Sequence, residues 1–125
     1  MKDSMAHVHL MCEDWKRELL YFKSEIPFFR KKLEEVASKN TAQEVMIQVE
    51  HFENKFRIMS ENLDEVLHDV NLKNQSILDR AAEQPKYINV KMIEGFEVIH
   101  EEMESTARDF YDTKKEYYHF LADVL

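Results

Sequence analysis

Apolar residues recur along this chain at alternating steps of three and four, the rhythm of helices that bury one seam. The first run is Met5, Val8, Cys12, Trp15, Leu19, Phe22, Ile26, Phe29, Leu33 and Val36. The second is Val45, Val49, Phe52, Phe56, Met59, Leu63, Val66 and Val70, then Ile77 after a polar break at Lys73. The third is Met92, Phe96, Ile99, Met103, Phe110, Tyr117, Phe120 and Val124. A parallel line through Ile93, His100, Ala107 and Leu121 widens its apolar face. Three long helices are predicted, over about 4–38, 42–83 and 86–123.

The punctuation between the runs fits that division. Asn40 can stop a helix, and Thr41 with Glu44 has the spacing of a capping box for the next start. Pro85 can open a helix but not continue one, which puts the second break at Gln84. Pro27 stands off the first seam, which stays in phase through Phe29 and Leu33. The spacing therefore predicts a kink at Pro27, in preference to a split at Ser24-Glu25. Short connections make neighbouring helices antiparallel. The expected fold is all-α, a single domain over 1–125: an antiparallel up-down-up three-helix bundle of long, coiled-coil-like helices, able to dimerise.

Composition narrows the picture further. One glycine and two prolines in 125 residues leave almost no turn chemistry, so a few long elements must make up the fold. The lone glycine, Gly95, falls inside the third helix opposite Lys73 and Asn74, where a close approach of two backbones is expected. A net charge of −8 argues against a surface that tracks nucleic-acid phosphates. The basic run Arg30-Lys31-Lys32 is followed by Glu34-Glu35 and reads as one side of helical salt bridges. No apolar run reaches membrane-spanning length, and the N-terminus lacks the pattern of a signal peptide. One cysteine cannot close an internal disulfide. A soluble cytoplasmic protein is expected.

The chemistry-bearing motifs are two Glu-x-x-His stretches, Glu65–His68 and Glu97–His100. One such motif on each of two helices is half the ligand set of a di-iron carboxylate bundle. Turns near residues 40 and 84 would bring His68, His100 and the first helix's His9 and Cys12 to one height, with Glu13 beside them. The seam phase turns Glu65, His68 and Glu97 outward and leaves His100 at the border, so a di-iron centre is not expected. Any divalent transition metal would take a mononuclear site on His100 with Cys12, His9 or His68. Cys12 itself reads as a small buried hydrophobe. His7 lies at a helix start, and His51 and His119 read as solvated. No catalytic triad, phosphate loop or cysteine pair is present.

The stretches "WKRELLYFKSEI", "RKKLEEVASKNT" and "EVMIQVEHFENKF" resemble short all-helical bacterial proteins of uncharacterised function. The resemblance covers most of the first two helices; it implies a helical bundle and carries over no catalytic residue. Apolar residues beyond the seams supply the functional expectation. Leu20, Phe28, Met46, Leu72, Val98, Tyr111 and Tyr118 cannot all face one three-helix core. An interface through Leu20, Phe28, Met46, Tyr111 and Tyr118 is expected, serving a second copy or a helical protein partner. The expectation is thus a non-catalytic interaction protein without a cofactor, with a metal-binding bundle as the alternative.

Overall fold

The computed structural model describes residues 5–83 and 90–125, excepting the side chains of Ala81 and of residues 90–94. Helix α1 runs Met5–Lys39, α2 Gln43–Glu83 and α3 Val90–Val124, of 35, 41 and 35 residues. No strand occurs among the described residues. The expected break at Gln84-Pro85 and the seam positions Met92 and Ile93 lie outside what is described. The remaining helix ends fall close to their expected places.

Burial follows the predicted seams. On α1 every seam residue from Val8 to Val36 is buried, and Met5 packs partly against them. Val49, Phe52, Phe56, Met59, Leu63, Val66, Val70 and Ile77 of α2 join that core. On α3 the predicted line had gaps between Met103, Phe110 and Tyr117. Thr106 and Thr113 fill them, at 7% and 1% exposure, so the three–four rhythm is unbroken there too. A threonine methyl serves such a position, but its hydroxyl must also be buried.

Contacts set the helices against one another. Lys23 pairs with Asp64, Arg30 with Glu53 (3.2 Å), and Asn74 donates to Glu13 (2.9 Å), so numbers rise on α1 as they fall on α2. Across α1 and α3 they rise together: Trp15 lies against His100, Phe22 stacks on Phe110 at 4.2 Å, and Phe29 meets Tyr117 at 4.9 Å. Helix α1 lies close along α2, whereas these large rings hold α3 further from α1. Such aromatic pairs contribute about 0.5–1.5 kcal/mol each beyond their buried area. The buried Tyr117 hydroxyl donates to the Phe29 carbonyl at 3.0 Å.

Local features explain the ends and the proline. Asn40 donates from its side chain to the Val36 carbonyl, satisfying one of the free acceptors at the end of α1. At the start of α2 the Met46 N–H bonds the Ala42 carbonyl. Ala42 therefore stands where Thr41 was expected to cap. Pro27 is exposed and α1 continues through it as one helix, which removes the alternative of a split at Ser24-Glu25. An interior proline costs a helix about 3 kcal/mol; burial of Ile26 and Phe29 on either side opposes that loss.

Candidate functional site: an aromatic cleft between α1 and α3

Where α3 stands off from α1, Tyr21, Glu25 and Phe28 lie along one face of α1 at steps of four and three. Tyr111, Lys114 and Tyr118 lie along the adjoining face of α3 at steps of three and four. Steps of this size return to the same side of a helix. Tyr111 contacts the Phe22 ring at 5.5 Å and Tyr118 the Phe29 ring at 6.2 Å, which places both tyrosines at the α1 side of α3. All four outer aromatics are well exposed, from Tyr21 at 44% to Phe28 at 71%.

Lys114 occupies the floor of the cleft. Its Nζ lies 5.7–5.9 Å from the ring centres of Tyr21, Phe29, Phe110 and Tyr118, within reach of a cation–π attraction from each. It donates to Glu25 Oε1 at 3.1 Å and to the Tyr21 hydroxyl at 3.4 Å, while Tyr21 donates to Glu25 at 2.9 Å. The two charged side chains are 21% and 24% exposed. The Tyr21 hydrogen bond, then that from Lys114, holds the Glu25 carboxyl below its usual range. Burial alone would lower the Lys114 amine, but its bonds to Glu25 and Tyr21 outweigh that and hold it above its ordinary value. Both groups are charged at neutral pH, and the cleft is pinned by its own ion pair.

The structure sorts the expected interface residues into two groups. Tyr111 and Tyr118 line this cleft, and Phe28 falls by its spacing from Tyr21 and Glu25 on the α1 face that adjoins them. Leu20 lies three residues before Lys23, and Met46 seven before Glu53, so both stand on the flanks where α1 and α2 pair. Sequence reasoning missed Tyr21, Glu25 and Lys114. The signal was present: an aromatic–charged–aromatic triplet at helical spacing on each of two helices.

The motif residues are dispersed. Lys23–Asp64, Arg30–Glu53, Glu13–Asn74 and His9–Asn74 together fix the register of α2 along α1, and by it His68 stands level with about Arg17, not Cys12. About five residues, roughly 7–8 Å of helix, separate those levels. The expected common height of His68, Cys12 and His9 is therefore corrected: it placed the turn symmetrically at residue 40, whereas the connection runs on past it. Glu65, His68 and Glu97 are exposed. His100 is half-buried, its ring 5.5 Å from Trp15 and its Nε2 3.0 Å from Glu104. His9 bonds Asn74 through Nδ1 at 2.6 Å, and Asn74 in turn donates to Glu13. Glu102 lies against Asp69 across α2 and α3; burial, reinforced by that like charge, raises its carboxyl. Among the described residues no group of three His, Cys, Asp or Glu side chains is placed to hold a metal ion.

Cys12 is buried, and that burial pushes its thiol up to about 11, against a lowering pull from Lys73 and with a small push from Glu13. Lys73 occupies the polar break in the α2 seam, where burial lowers its amine. Its side chain explains Gly95. A Cβ added there would lie 2.6 Å from Lys73 Nζ and 3.4 Å from Cε, so a lysine side chain, and not the expected backbone of α2, takes the space.

No helix among the described residues is long and apolar enough to cross a membrane. No protein-family model, curated protein or solved structure matches this chain.

Proposed function

We propose that the chain is a non-catalytic helical interaction protein, an up-down-up bundle with coiled-coil-like packing that works in the cytoplasm through the α1/α3 cleft. One observation carries this reading: the four most exposed phenylalanine and tyrosine side chains among the described residues all fall on the adjoining faces of α1 and α3 instead of scattering around the bundle. Single exposed hydrophobes are ordinary on protein surfaces, whereas a grouped set rimmed by polar residues marks a contact face. Tyrosine and phenylalanine suit such a face, because they bury much area with few rotors to immobilise. The Lys114–Glu25 pair at its base presets the cleft, which reduces the ordering cost of association.

The test is site-specific photo-crosslinking in cells. A photoreactive residue replaces Phe28 in one strain and Glu65, on the exposed flank of α2, in another. A covalent adduct larger than the chain is expected from position 28 and not from position 65. Absence of an adduct at position 28, or equal adducts at both, contradicts the reading.

A further inference from the structure

The solvent side of α3 carries one stripe at three–four spacing: Glu97, Glu101, Glu104, Arg108, Tyr111, Lys115 and Tyr118, all exposed. Its first three members are acidic, and the next four are cationic or aromatic. Across the cleft, α1 continues the same division. Glu18 lies beside the acidic part, and Tyr21, Phe28 and Lys31 lie beside the rest, as the ring contacts of Trp15 with His100 and Phe29 with Tyr117 show. Among the described residues the chain's own ion pairs take up one of these charges, Glu104, which pairs with His100 on the same helix. Among the described residues none joins Glu18, Glu97, Glu101, Lys31, Arg108 or Lys115, whereas Asp14 with Arg17 and Lys32 with Glu35 are paired locally.

A stripe that is acidic in one half and basic in the other is complementary to itself when reversed. We propose that the α1/α3 face binds a second copy of this chain about a two-fold axis, with the two α3 stripes antiparallel. The axis passes between Glu104 and Arg108. Glu104 of each copy then meets Arg108 of the other, and Glu97 meets Lys115. The same register sets Tyr111 of each copy opposite Glu101 of the other, between the two ion pairs, and leaves Tyr118 beyond the outer Glu97–Lys115 pair. A two-fold contact requires this kind of self-matching patch, and charge complementarity across helices selects partner and orientation. It also answers the objection from a net charge of −8. Repulsion between copies acts over the whole surface, but opposite charges meet at the contact, and within it screening is weakest.

This inference rests on the proposed role of the cleft and names its occupant. Sedimentation velocity of the full chain over a range of concentrations, at low and high salt, tests it. A dimer is expected at low salt, with its dissociation constant raised at least about tenfold at high salt, as for a charge-guided contact. The double reversal Arg108→Glu with Lys115→Glu should weaken the dimer by at least about tenfold while leaving the far-UV helix signal unchanged. Adding Glu97→Lys and Glu104→Lys to that chain swaps both halves and should restore the dimer. A monomer at every concentration, or a dimer indifferent to the reversal, overturns the proposal. If the crosslink from position 28 then reaches a different protein, the cleft keeps its role and only the second copy is lost. If position 28 yields no adduct, both readings fall.

Discussion

The Lys114 site offers a quantitative test through a double-mutant cycle with Lys114→Met and Glu25→Gln. Both replacements nearly preserve shape and remove charge. Exposed ion pairs couple by about 0.2–1 kcal/mol, whereas removing one partner of a fully buried pair costs about 3–5 kcal/mol. Here the side chains are 21% and 24% exposed, so the pair lies between these limits. Contact with Phe29, Phe110 and Tyr118 adds to the Lys114→Met loss without entering the Glu25 coupling, whereas Tyr21, bonded to both charges, belongs to it. The expected coupling is about 1–2 kcal/mol, with Lys114→Met alone costing more than Glu25→Gln because it also forfeits cation–π attraction of about 0.5–2 kcal/mol. Urea unfolding followed by circular dichroism at neutral pH supplies the four free energies. The pH dependence has a definite sign. Glu25 is held below its unfolded value, so its stabilisation is present above the ordinary carboxylate range and lost as pH falls through the folded value. Lys114 is held above its unfolded value, so its share is full below the ordinary lysine range and lost as pH rises through the folded one. A coupling below about 0.3 kcal/mol, or one abolished by molar salt, would show a solvated pair and refute the enclosed cleft.

Four further outcomes follow from the core. Phe56→Ala should destabilise by about 2–4 kcal/mol, since the ring is fully buried among Phe29, Phe52 and Tyr117, while the exposed Glu65→Ala should stay within about 0.5 kcal/mol; similar effects in a denaturant titration would mean the seam phase is wrong. Thr113→Val should raise stability by about 0.5–1.5 kcal/mol, because the Thr113 hydroxyl is buried without a hydrogen-bond partner; a lower thermal midpoint would contradict this. Gly95→Ala should gain up to about 1 kcal/mol of helix propensity, with the mobile end of Lys73 swinging aside; a loss beyond about 1 kcal/mol would show that Lys73 cannot yield. Cys12, buried and with its thiol raised to about 11, should react with a thiol reagent at neutral pH only as fast as the chain opens; prompt alkylation of the native protein would place it elsewhere.

What the sequence determined by itself is the helical content and the inward side of each helix. Burial along a helix repeats with a local period, so Val8 to Val36 on α1 and Val49 to Ile77 on α2 could be assigned from spacing alone. The rule failed where polarity and place diverge: Thr106 and Thr113 are core residues by position and polar by composition. Half of the cleft was legible in the same way, since Phe28, Tyr111 and Tyr118 fall off the seams. Tertiary structure decided the rest, because axial register and the spacing between helices depend on side-chain volumes from different parts of the chain. The rings of Phe22, Phe29, Phe110 and Tyr117 fill the space between α1 and α3 and leave the cleft in which Lys114 meets Glu25. The register set by Lys23–Asp64, Arg30–Glu53, Glu13–Asn74 and His9–Asn74 moves His68 more than one turn away from Cys12. Each helix determines its own buried face through its period, but only packing among the three decides which outward residues become neighbours.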